Sequence, residues 1–155
     1  MKIRADEHVS PEIVQAIIKL ALSPNHSLDS VFDAGQRGID DVPWVTKFAR
    51  DGGKVILSAD TDFHKKPHQI AAVHELGLMV VQLPARWANS RCRLQASHIL
   101  YWWECIEKTV QSAKPREFFS IPWGFPEKQE LARLKVDYEQ ARKKVRKASR
   151  RHNAG

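Results

Sequence analysis

Short, nearly unbroken apolar runs alternate along this chain with stretches whose apolar residues recur at helical spacing. Residues 2–5 read as a first strand. Ser10-Pro11-Glu12 then opens a helix, with Ser10 as N-cap and Pro11 at the first helical position, and Ile13, Val14, Ile17, Ile18 and Leu20 form its apolar stripe. Pro24-Asn25-His26 ends it, and residues 30–33 are a weaker strand candidate. Residues 34–38, with two glycines, read as a loop. Asp40-Asp41-Val42-Pro43 starts a second helix whose buried face is Trp44, Val45, Phe48 and Ala49. Asp51-Gly52-Gly53 stops it before the clearest strand of the chain, residues 54–58. A helix over 68–76 is closed by Gly77, and residues 78–83 form the next strand, halted by Pro84. A long helix follows over 90–111. Residues 117–121 are expected as a last edge strand, and Pro122-Trp123-Gly124-Phe125-Pro126 as a rigid turn. From 127 to about 148 the chain reads as one helix, with a thin stripe of Leu131, Leu134, Tyr138, Ala141 and Val145. Strands alternating with helices at this spacing predict an α/β fold, a parallel sheet covered on both faces. The division expected is a domain over 1–126 and a basic helical extension over 127–155.

Composition narrows the class. With 43% hydrophobic and 28% charged residues in 155, the chain can bury a real core. No run approaches a membrane span and no signal peptide opens the chain, so no membrane role is expected. Cys92 and Cys105 alone predict no disulfide framework, and a reducing, cytoplasmic setting is expected. The charge is uneven. Residues 127–155 carry ten basic and four acidic side chains, which is +6 of the chain's net +7. A near-neutral body with a cationic tail points to nucleic acid or an acidic partner. Within the tail, Arg142, Lys143, Lys144, Arg146 and Lys147 are the nucleic-acid-binding candidates.

The chemistry is expected where strands stop in carboxylates. Ile3-Arg4-Ala5 runs into Asp6-Glu7-His8, and Val55-Ile56-Leu57-Ser58-Ala59 runs into Asp60-Thr61-Asp62. The carboxyl ends of parallel strands form the mouth at which open α/β sheets bind ligands. Carboxylates gathered there repel each other unless a cation joins them, and all-oxygen donors suit Mg²⁺ or Mn²⁺. The expected class is a metal-dependent hydrolase of a phosphodiester. Asp60 and Asp6 are the leading ligands. Asp62 is either a ligand or the cap of the following turn, and Glu7 is expected beside the site. Asp40 and Asp41 are ligand candidates or ordinary helix-start carboxylates. Ser58 and Thr61 could orient a water or simply satisfy nearby backbone. Lys65, Lys66 and Arg86, with His8, His64 and His68, lie near the same rim and could hold phosphates, or be solvated loop residues. Tyr101-Trp102-Trp103 reads as core or a dimer contact before a base-stacking surface.

The elements Ala5-Asp6-Glu7-His8-Val9-Ser10-Pro11, Arg37-Gly38-Ile39-Asp40-Asp41 and Ile56-Leu57-Ser58-Ala59-Asp60-Thr61-Asp62-Phe63 together resemble the short PIN-like domains, relatives of VapC-type toxins, over residues 1–85. The resemblance implies a three-layer α/β/α sandwich with a central, mainly parallel sheet and a Mg²⁺- or Mn²⁺-dependent ribonuclease site, in the toxin of a toxin–antitoxin pair. Carried over by motif, the catalytic and metal-binding residues are Asp6, Asp41, Asp60 and Asp62. RNA as substrate, an antitoxin protein and a homodimer are the implied partners. Where relatives show a Glu-rich turn after the mid-domain acid, this chain has Val42-Pro43-Trp44, so Asp40 stays open beside Asp41. The basic extension is not part of the usual domain. Two other readings stand beside this one. The first is a catalytically silent scaffold that binds RNA or a protein through its tail, and the second is a small-molecule phosphatase with Asp60 as nucleophile.

Overall fold

The computed structural model describes residues 1–35 and 41–155, with position 41 described by its backbone alone. Among these residues the chain forms strands β1 (Lys2–Ala5), β2 (Ser27–Ser30), β3 (Val55–Ser58), β4 (Met79–Gln82), β5 (Phe118–Ser120) and β6 (Ala132–Leu134). The helices are α1 (Pro11–Leu20), α2 (Asp41–Arg50), α3 (Pro67–Leu76), α4 (Ala85–Ala88), α5 (Cys92–Ser112) and α6 (Tyr138–Asn153). The local signals act as expected. The Ser10 hydroxyl accepts the Ile13 N–H at the start of α1, and Gly77 closes α3 at φ +68°, a left-handed conformation only glycine adopts cheaply. Gly53 is required for a different reason: a Cβ there would lie 2.5 Å from the Phe48 ring.

One six-stranded sheet runs in the order β2-β1-β3-β4-β5-β6, parallel throughout except for the antiparallel β5–β6 pair. Side chains alternate across it. Ile3, Ala5, Val55, Leu57, Met79, Val81 and Phe119 pack with α1 and α5, including Trp102 and Trp103, and with Trp87 of α4. Ile56, Val80 and Phe118 face the other way, onto Trp44, Val45 and Phe48 of α2 and Val73 of α3. The molecule is therefore a three-layer α/β/α sandwich, and α6 lies outside α3. Arg4 occupies a buried position of β1. Its guanidinium is neutralised by both oxygens of Asp29, its register partner on β2, at 2.8 Å each, and lies 4.8 Å from the Phe48 ring. A forked pair of this kind is what lets a charge be buried there.

Three expectations are corrected. The second strand is residues 27–30, not 30–33. Ser30 and Asp33 exchange side-chain-to-backbone hydrogen bonds of 3.1 Å, and that turn ends the strand. The strand near 117–121 is not an edge, because β6 pairs beyond it. The helix expected over 127–148 is instead β6 followed by α6. The helix begins only where Asp137 accepts the Gln140 N–H at 2.9 Å. Part of the 34–38 loop falls outside the described residues. Of the Tyr101-Trp102-Trp103 cluster, Trp102 and Trp103 are fully buried in the core and Tyr101 is exposed.

Candidate active site

β1 and β3 are neighbours, and their carboxyl ends bring Asp6 and Asp60 to one rim. The Asp6 N–H donates to the Leu57 carbonyl at 3.0 Å, continuing the ladder one residue past the strand. Its carboxylate, 2% exposed, is held between the two strand ends. One oxygen accepts the His8 N–H at 3.0 Å and the Ala59 N–H at 3.3 Å, and the other accepts the Ser58 hydroxyl at 2.5 Å. Ser58 in turn accepts the Asp60 N–H at 3.1 Å, so one hydroxyl links the two acidic positions. Burial pushes the Asp6 carboxyl above its ordinary value, with the hydrogen bonds from Ser58 and Ala59 opposing the rise.

Asp60 is set differently. Its partial burial also favours the neutral form, but the Lys66 ammonium at 2.7 Å and the Asp62 N–H at 3.0 Å outweigh it and hold the carboxyl below its ordinary value. Asp60, not Asp62, makes the local capping turn. The Asp62 side chain is 62% exposed, makes no capping hydrogen bond, and faces Lys65 at 3.6 Å. Glu7, His8, Thr61 and His68 are exposed around the mouth, and Lys65 and Arg86 are exposed on the same rim. Asp41 opens α2, with its side chain outside the described atoms, and Asp40 lies outside the described residues. In the tail, Lys143, Lys144, Arg146 and Lys147 are exposed on α6 and Arg142 is half-buried.

Two features of the site are not foreshadowed by the sequence in the roles they take. Lys66, a candidate for phosphate, already serves as the cation of Asp60. Gln82, at the end of β4, holds the turn after β3: its Nε2 donates to the Asp60 carbonyl at 2.6 Å and to the Ser58 and Leu83 carbonyls at 3.4 Å. Its Oε1 is buried without a hydrogen-bond partner, at a cost of about 1–3 kcal/mol unless something donates to it. An acid in α5, Glu107, serves the fold instead. It accepts from Ser23 and from the Trp103 indole at 2.8 Å and fastens α5 to the chain before β2.

Asp6 and Asp60 are the residues that could hold a hard divalent cation, although each of their carboxylate oxygens already has a partner within the protein. Asp6 and Asp60 offer oxygen ligands from adjacent strand ends, and the raised Asp6 carboxyl is the mark of a buried charge whose partners among the described residues are hydrogen-bond donors rather than a lysine or arginine. Among the described residues, no group of three or more His, Cys, Asp or Glu comes together to hold a metal. No helix of the described residues is long and apolar enough to cross a membrane. Both cysteines are free.

A family model described as a PIN-like domain matches residues 1–85, just over half of the chain and the part that holds β1 to β4 with both acidic strand ends. No curated protein and no solved structure matches.

Proposed function

The chain belongs to the PIN-like domain family, and on that premise we propose that it is a Mg²⁺- or Mn²⁺-dependent endoribonuclease of the cytoplasm, the toxin of a toxin–antitoxin pair. The observation that carries the nuclease reading is the pair Asp6 and Asp60, at the carboxyl ends of neighbouring parallel strands and joined through Ser58. A divalent cation held by these carboxylates, with Asp41 completing the set by motif, would offset the phosphate charge and acidify an attacking water. The protein's own contribution is positioning. Ser58 and two backbone N–H groups fix the Asp6 carboxylate, and Gln82 fixes the Asp60 backbone. Lys66 keeps Asp60 ionised and offers an ammonium to a phosphate oxygen. Asp62, exposed one step further out, would take the proton of the water. Lys65, Arg86 and the basic residues of α6 would draw in the RNA backbone.

The test is cleavage of a mixed single-stranded RNA pool with Mn²⁺, Mg²⁺ or EDTA, run beside Asp60→Asn. Metal-dependent cleavage reduced by about 100-fold or more in the variant is the expected result. Full activity in the variant overturns the assignment. One observation favours a second reading, a silent scaffold that binds RNA through its tail: Lys66 already neutralises Asp60. Folded wild-type protein that binds the pool but cleaves none of it with either metal decides for the scaffold.

A further inference from the structure

We propose that Lys66 is a latch on the metal site: its ammonium and a divalent cation are alternative partners of the Asp60 carboxylate, and the ammonium, on leaving Asp60, pairs with a phosphate oxygen of the RNA. The proposal rests on the reading of Asp60 as a metal ligand. The contact is built by the fold of one short loop. After β3 the Asp60 carbonyl accepts the Phe63 N–H at 3.2 Å, and Phe63, 1% exposed, anchors the loop in the core. The chain makes one 3₁₀ turn over Phe63–Lys65, and the Lys66 carbonyl accepts the Ile70 N–H at 3.0 Å where α3 begins. The backbone is therefore set at both ends of the pair. From there the Lys66 side chain reaches back six residues and places Nζ 2.7 Å from Asp60 Oδ2.

The other oxygen, Oδ1, accepts the backbone N–H of Asp62 at 3.0 Å, so Oδ2 is the one whose partner is a side chain able to move. An ammonium and a divalent cation on that oxygen would repel each other at contact range, where salt does not screen them. The lysine is built to yield. It is 47% exposed, and its point charge sits on a flexible four-carbon stem. The Arg4–Asp29 pair shows the opposite construction, a forked contact of 2.8 Å to each oxygen from an arginine side chain only 5% exposed. A buried fork holds one partner for good, whereas a half-exposed ammonium can exchange partners without any backbone shift.

The exchange couples the two ligands of the site. While Lys66 neutralises Asp60, the mouth of the sheet offers its charge to nothing else on that side. Once Asp60 has a divalent cation, the same ammonium adds to the field that draws in a phosphate. Metal and RNA then bind with positive coupling carried by one side chain, and the coupling acts equally in both directions.

The experiment measures Mn²⁺ binding to the full chain by electron paramagnetic resonance, in wild type, Lys66→Gln and Lys66→Arg. Lys66→Gln is expected to bind Mn²⁺ about three- to fivefold tighter, the equivalent of an exposed ion pair that no longer has to be broken. Damage to the site would weaken binding, so a gain separates the latch from a structural role. Lys66→Arg keeps the charge and should bind no tighter than wild type. At saturating Mn²⁺ the gain should turn into a loss, with cleavage by Lys66→Gln reduced about tenfold or more because the phosphate lacks its ammonium. A Lys66→Gln chain that binds Mn²⁺ no tighter overturns the latch, and so does a Lys66→Arg chain that binds as tightly as Lys66→Gln. Unchanged cleavage at saturating Mn²⁺ overturns the transfer to phosphate. Tighter Mn²⁺ binding by the variant of a protein that cleaves no RNA keeps the latch and removes the nuclease. Cleavage with equal Mn²⁺ affinities does the reverse, and no Mn²⁺ binding by any of the three overturns both.

Discussion

Asp6 and Asp60, both hydrogen-bonded to the Ser58 hydroxyl, answer to different physics. Burial raises the Asp6 carboxyl, against the hydrogen bonds it accepts. Asp60 has Lys66, so its carboxyl is lowered. For Asp6 the folded state binds a proton more readily than the unfolded chain, so stability falls as pH rises from the ordinary carboxylate value towards the raised one and stays reduced above it. Asp6→Asn keeps the shape and removes the charge. Its melting temperature at pH 7.5 should exceed that of the wild type in EDTA, by about 2–4 °C for each kcal/mol relieved, and the advantage should vanish in acid. Excess Mn²⁺ should reverse the order by stabilising only the wild type, which differential scanning calorimetry would read directly. A variant less stable than wild type at both pH values would mean that the hydrogen bonds to Asp6 outweigh its buried charge. Asp60→Asn has the opposite sign. It loses an ion pair whose lysine is 47% exposed, a contribution of about 1 kcal/mol or less, present above the ordinary carboxylate pKa and lost as pH falls through the lowered one. Both aspartates were legible as acids stopping an apolar run. The roles of Lys66 and Gln82 were not, because a loop lysine and a strand-end glutamine acquire them only when three-dimensional neighbours supply the partners.

At the scale of elements, α6 shows what a pattern alone conceals. The apolar steps from Leu131 to Val145 fit one helix, yet Leu131 and Leu134 belong to β6 and its approach, and the helix proper begins at Tyr138. The start signal was present as Asp137 with Gln140 three residues later, and it outranks periodicity because it satisfies an otherwise orphaned N–H. A three-residue strand is too short for alternation to announce it. α6 docks through Tyr138, stacked on His74 with centroids 3.5 Å apart, and through buried Ala141, while most of its lysines and arginines stay outside. Docking and charge can therefore be separated. Lys143→Glu, Lys144→Glu and Lys147→Glu together should leave the melting temperature nearly unchanged. They should flatten the salt dependence of RNA binding by about 2 in the log–log slope, near 0.7 for each single-strand phosphate that is no longer neutralised. Tyr138→Ala should lower the melting temperature and leave that slope largely intact. If the charge reversals left the slope untouched, α6 would be a structural cover rather than an RNA surface.

Across the whole molecule, the parallel order of β1 to β4 could be read from the chain because buried strands are continuous apolar runs and the helices between them carry clear start and stop signals. The far side of the sheet could not, since its last partner comes from the segment that composition sets apart. That segment closes the structure. β6 covers the edge of β5, whose Phe118 and Phe119 lie in the two cores, and α6 covers α3. A chain cut after residue 126 would expose a strand edge flanked by buried aromatics, the arrangement that leads to edge-to-edge association. It would also lose the burial of Leu131 and Ala141 and the Tyr138 stack, each contributing on the order of 1–2 kcal/mol. Such a chain should melt about 10 °C lower or aggregate, whereas one cut after residue 147 keeps β6 and the docked turns of α6 and should melt within a few degrees of the full chain. Light scattering and thermal denaturation of the two truncations distinguish these outcomes. A soluble, cooperatively folding 1–126 chain would show the tail to be a detachable appendage. Its loss of RNA affinity could then be assigned to charge alone, which the longer truncation would otherwise have to establish.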